Sequence, residues 1–200
     1  KLFIKNNLLI NPFIKLANQF KKNEQFNKDA LSKASYSYLL LIQEPIGRSF
    51  FLHNDNINLR KGFILVANHP NHNLDGLYNL GLAFVLLTED PIGRSFFLHN
   101  DNTDLRKAFI SVANHPNHNS DGLNFLARSF IHLTTDSDGI TFFCESESFQ
   151  NAFTFLANHS GLSPFGRQYL AQVFVHLIKD PIGRSFFLHN DNINLRKGFI

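Results

Sequence analysis

Apolar residues recur along this chain at helical intervals, in segments that return in a fixed order. Over residues 58–67, Leu59, Phe63, Val66 and Ala67 fall at i, i+4, i+7 and i+8, which draws one apolar face on a helix. The same face returns as Leu105, Phe109, Val112 and Ala113, and with other neighbours as Phe149, Phe153, Leu156 and Ala157. A longer segment over residues 75–88 carries Leu77, Leu80, Gly81, Phe84, Val85 and Leu87. Its counterparts are Leu123, Leu126, Ala127, Phe130, Ile131 and Leu133, then Leu170, Ala171, Phe174, Val175 and Leu177. Near the start, Phe13, Leu16, Ala17 and Phe20, then Leu31, Ala34, Tyr38, Leu39 and Leu41, follow the same pair of patterns. The small residue beside the leucine (Gly81, Ala127, Ala171 and Ser35) predicts a close helix crossing in each copy, because a larger side chain would hold two backbones apart.

Between these segments lies a stretch repeated almost verbatim. PIGRSFFLHNDNINLRKGFI at residues 45–64 returns letter for letter at 181–200, and at 91–110 with Thr103, Asp104 and Ala108 in place of Ile57, Asn58 and Gly62. An acidic residue (Glu44, Asp90 or Asp180) precedes each proline, offering an N-cap oxygen before a pre-set first helical residue. That predicts a short helix, stopped by the His-Asn-Asp-Asn cluster, whose side chains favour turns. The middle helix is closed by Asn-His-Pro-Asn-His-Asn (68–73 and 114–119), where proline forbids continuation.

Aligned on these starts, the chain divides into units 1–44, 45–90, 91–136 and 137–180 and a partial unit 181–200, with periods of 46, 46 and 44 residues. The unit at 137 loses the Arg, His and Asp of the verbatim stretch yet keeps its apolar spacing, so what recurs is a helical frame, and the letter identity reads as recent duplication. Strands are the competing reading, since SFFL and GFILVA have β-type composition. Strict alternation is absent, however, and Asp75-Gly76 and Asp121-Gly122 open the long helix instead of a hairpin.

The expected fold is therefore all-α: one domain over residues 1–200, a right-handed α-solenoid of tandem three-helix repeats of about 45 residues. The pattern Leu59-x-x-x-Phe63-x-x-Val66-Ala67-Asn68, a turn, then Leu77-x-x-Leu80-Gly81-x-x-Phe84-Val85-x-Leu87 resembles the armadillo/HEAT-type repeat. The resemblance implies an extended binding scaffold.

Composition changes this picture little. With 44% hydrophobic and 18% charged residues, and 23 Phe with no Trp or Met, the chain is an ordinary globular one. Without a Met at residue 1, and ending inside a repeat, it reads as a segment of something longer. A single cysteine, Cys144, excludes an internal disulfide and is expected to pack as a small core residue. No run reaches the roughly 18–20 apolar residues a membrane span needs; a soluble, cytoplasmic chain is the simplest expectation.

Net charge is +3, with seven lysines among residues 1–44, most of them expected to face water. Arg48, Arg94 and Arg184 recur on the short helix, and Arg60-Lys61, Arg106-Lys107 and Arg196-Lys197 recur on the middle one, with Gln150-Asn151 in the diverged unit. In a stacked array these form rows that could hold an acidic peptide or a phosphate backbone. They are the candidate partner-binding residues.

Catalytic signals are absent: there is no Gly-x-Ser-x-Gly turn and no phosphate loop. His69-x-x-His72 and His115-x-x-His118 have ligand spacing but no Cys or consistent carboxylate beside them, so they are expected as polar turn residues, His69 and His72 in an exposed turn, with no metal and no cofactor. The function expected is a non-enzymatic scaffold for another protein or peptide. A nucleic-acid binder using the basic rows and a self-associating structural protein are the alternatives.

Overall fold

The computed structural model describes residues 28–189. The expectations for Phe13, Leu16, Ala17 and Phe20, and for Arg196 and Lys197, lie outside the described residues. Among the described residues every regular element is a helix and there is no strand.

The helices fall into three classes. Long helices are α1 (Lys28–Gln43), α4 (Leu74–Glu89), α7 (Ser120–Leu133) and α10 (Pro164–Lys179). Short ones are α2 (Pro45–Leu52), α5 (Pro91–Leu98), α8 (Ser137–Glu145) and α11 (Pro181–Leu188), and the middle ones are α3 (Ile57–Ala67), α6 (Thr103–Ala113) and α9 (Glu147–Asn158). Single 3-10 turns, Asn54–Asn56 and Asn100–Asn102, join short to middle helices in the two verbatim copies.

The helix starts follow from their capping residues. Asp90, Asp136 and Asp180 each accept the backbone N–H of the glycine three residues on, at 2.9, 3.0 and 3.3 Å. Asn73, Asn119 and Ser163 do the same for the long helices, at 2.8, 2.8 and 3.2 Å. Glu44 departs from the expectation, since its longer side chain makes no cap bond.

The glycine after each short-helix start has a steric reason. A Cβ on Gly93 would stand 2.1 Å from the carbonyl oxygen of Leu87, and one on Gly139 1.7 Å from that of Leu133, because the short helix begins on top of the last turn of the long helix before it.

Helices of one class pack on one another: α4 lies against α1 and α7, α10 against α7, α3 against α6, α6 against α9, and α11 against α8. Between the long and middle classes runs a zigzag of aromatic rings. Tyr38, Phe63, Phe84, Phe109, Phe130 and Phe153 follow one another edge to face, with centroids 5.4, 5.3, 5.2, 5.3 and 5.4 Å apart. Phe51, Phe97 and Phe143 of the short helices add a ring to Phe63, Phe109 and Phe153, at 5.5, 5.7 and 5.6 Å. Phe63, Phe109 and Phe153 are fully buried.

Gly81 lies where α4 meets α7, its Cβ position 3.1 Å from Gly122 O, and Ala127 is buried. Ala171 departs from the expected crossing and is exposed, because α10 is the last long helix among the described residues. Among the same residues no helix is long and apolar enough to cross a membrane.

Candidate functional site

The arginines of the middle helices point inward. Arg60 and Arg106 are each 8% exposed. Nη1 of Arg60 donates to the carbonyls of Phe51, at 2.9 Å, and His53. Nη1 of Arg106 donates to Phe97, also at 2.9 Å, and His99. These are carbonyls at the end of the preceding short helix, which has no turn of its own left to satisfy them; a cation there also suits the helix dipole. In the diverged copy Gln150 does the same work with an amide, donating to Phe143 O at 3.0 Å and Cys144 O at 2.9 Å. Burial lowers the pKa of both guanidinium groups.

The short-helix arginines are paired with the acid that caps the next short helix. Arg48 Nε lies 3.2 Å from Asp90, and Arg94 Nε 3.3 Å from Asp136. Lys61, Lys107 and Arg184 are exposed, Lys107 sitting 3.7 Å from Asp104 of its own helix. The candidate residues thus do not converge on one described surface: Arg60 and Arg106 cap helices, Arg48 and Arg94 bridge short helices, and the rest face water.

Open grooves do lie on both sides of the short helix α5. One of about 830 Å³, between the α2–α3 turn with the start of α3 and α5, is lined by Ile57, Ile92 and Phe96 with Asn54, Asn102 and the edge of Arg60. The next, of about 770 Å³ between α5 and α8, is lined by Asp101, Asp138, Glu145 and Phe142 with Arg94 and His99. Asp138 stands where the sequence register places Ile92 one unit earlier.

The histidines organise turns. Nδ1 of His53, His69, His99, His115 and His159 each accepts the backbone N–H two residues on, at 3.1–3.4 Å. His72 departs from the expected exposed turn: it is 2% exposed, because its Nε2 closes back on Val66 O at 2.7 Å. His118 repeats this on Val112 O at 2.6 Å. Among the described residues no group of three or more His, Cys, Asp or Glu could hold a metal ion. Cys144 is half-buried and packs against the edge of the core, and burial, helped by nearby Asp180 and Glu145, pushes its thiol up to about 11.

No family model, curated protein or solved structure matches the chain.

Two signals in the letters bear on these inward-facing residues. Gln150 keeps a hydrogen-bond donor where the charge is lost, which is what a carbonyl cap needs and a salt-binding row does not. Leu162 stands in register with His72 and His118, which marks that position as apolar.

Proposed function

We propose that this chain is a non-enzymatic helical-repeat scaffold, a right-handed α-solenoid of three-helix units of the armadillo/HEAT kind, which holds an extended peptide segment across the two grooves that flank its short helix α5. The observation that carries the reading is a pair of open grooves on the two sides of α5, which share Pro91, Ser95, His99 and Asp101 in their walls. A ligand that crosses two such grooves meets an apolar lining at Ile92 and Phe96 and a carboxylate lining at Asp138 and Glu145, and so carries an apolar residue followed by a basic one. A peptide is favoured over a phosphate backbone because the four described arginines of the first two verbatim copies are engaged by carbonyls or by Asp90 and Asp136. Cys144, its thiol pushed up to about 11 by burial, stays protonated near neutral pH and supplies no poised nucleophile.

The test is a randomised peptide library selected on the full chain, with the enriched sequences measured by fluorescence anisotropy. Binding is expected to fall at least about tenfold with Ile92→Asp, and basic positions are expected to matter less after Glu145→Gln. No enrichment, or affinities indifferent to both substitutions, overturns the groove reading. Tight binding to random single-stranded DNA with a steep salt dependence supports the phosphate reading instead.

A further inference from the structure

Two histidines occupy places that a charged ring cannot keep. Nε2 of His72 and of His118 faces a carbonyl, which only accepts, so Nε2 holds the proton and Nδ1 holds the lone pair. Nδ1 of both rings is buried without a hydrogen-bond partner. It lies against the backbone of Gly76 and Gly122, where an added Cβ would stand 2.9 and 3.1 Å from it. A second proton there would be a buried donor with no acceptor and a buried charge with no counter-charge. The third copy shows what the place accommodates: Leu162, 4% exposed, packs there against Gly166.

The rings also form a row that crosses between copies. His69, His72, His115 and His118 follow one another with centroids 6.4, 6.3 and 6.2 Å apart, and Nε2 of His115 lies 3.0 Å from Pro70 O in the preceding turn. The ionisable groups bearing on His72 are His115, His69 and His118, with Lys28 of α1 lining the same recess. Those bearing on His118 are His115 and His159. The first-turn carboxylates of the neighbouring helices, Asp29, Asp75 and Asp121, are exposed. Acid would therefore gather positive charge along the row.

We infer that this row is an acid-operated latch: with neutral rings it ties the ends of α3 and α6 to the turns that follow, and on protonation of His72 and His118 those turns let go and successive units loosen. The inference does not depend on what the grooves hold.

Burial lowers the pKa of both rings from 6.5 to about 4, with a smaller contribution from the neighbouring histidines, against the opposing carbonyl bond. Because the folded value is the lower one, the stability contributed is fully present above about pH 6.5 and is lost as pH falls toward 4. By linkage each ring shifts the folding equilibrium by about 30-fold at pH 5.

Urea unfolding of the full chain at about pH 7.5 and pH 5, followed by circular dichroism, tests this with His72→Leu/His118→Leu, the residue the third copy already uses. The wild type is expected to lose at least about 100-fold in its folding constant between the two pH values, and the double variant less than about tenfold beyond what its other groups titrate. Equal losses in both proteins overturn the latch. If the variant does not fold, the imidazole Cε1–H resonances of the wild type decide. Titration of both rings only as the fold opens, below about pH 5, supports the latch, and titration of both near the ordinary value of about 6.5 with the fold intact overturns it.

Discussion

The guanidinium of Arg106 stands 5.1 Å from the centroid of the Phe142 ring, and Phe142 belongs to the next copy of the repeat. Arg60 stands in the same way 4.9 Å from Phe96. One residue therefore joins three parts: its helix holds it, its N–H groups close the short helix before it, and its flat face lies on the short helix after it. Planarity matters here, since a guanidinium lays a flat face on a ring while its in-plane N–H groups donate, a geometry an ammonium does not offer.

Replacing Arg106 separates these roles. Arg106→Ala leaves the buried carbonyl of Phe97 without its side-chain donor and is expected to destabilise by about 2–3 kcal/mol. Arg106→Gln copies Gln150 of the diverged copy and is expected to recover at least about half of that, with Arg106→Lys between them. Urea denaturation midpoints at constant slope measure the series, and a Gln variant no better than Ala would show that capping is not the role.

Two glycines from different copies of the verbatim stretch, Gly93 and Gly62, should respond oppositely to alanine. Gly93→Ala drives a Cβ into Leu87 O, a backbone atom 2.1 Å away that cannot rotate aside, and the expected loss is about 3 kcal/mol or more. Gly62→Ala is expected to stabilise by about 0.5–1 kcal/mol through helix propensity, because the equivalent Ala108 is already accommodated fully buried. Thermal melts of the two variants, run side by side, check the sign.

How much of this was legible depends on what a periodic pattern encodes. Leu59, Phe63 and Val66 announce a helix and its buried face, because burial is a property of the face and the spacing draws the face. The three-helix order and the Asp caps were readable for the same local reason. Arg60 and Arg106 were misleading: a helical register tells which face a residue lies on, not that the end of another helix is waiting there. His72 was misleading in the same way, since its polarity suggests solvent while its partner, Val66 O, is a backbone atom with no letter of its own. Ala171 shows the reverse limit, a position built for a crossing with no described long helix over it.

Phe109 meets four rings from the zigzag and its flanks, Phe84, Phe97, Phe130 and Phe149, at 5.2, 5.7, 5.3 and 5.5 Å. Phe109→Ala is expected to cost about 3–5 kcal/mol, as large core truncations do. A double-mutant cycle with Phe130→Leu should return a coupling of about 0.5–1.5 kcal/mol, the share due to ring geometry beyond area. Additive losses would reduce the zigzag to ordinary apolar packing.

The acids before the short helices carry a prediction in the gain direction. Asp90 accepts the Gly93 N–H through Oδ1 and the Arg48 Nε–H through Oδ2, so one carboxylate starts the short helix α5 and tethers the preceding short helix, α2. Asp136 and Asp180 cap in the same way, while Glu44, one methylene longer, makes no cap bond at the equivalent place. Glu44→Asp is expected to stabilise by about 0.5–1 kcal/mol, and Asp90→Ala to destabilise by about 1–2 kcal/mol, with most of that loss due to the cap. Asp90→Asn keeps an oxygen for Gly93 but gives up the ion pair with Arg48. Its stability should fall close to wild type at high salt, where the pair is screened and the cap is not; a variant as weak as Asp90→Ala under those conditions would assign the work to the charge.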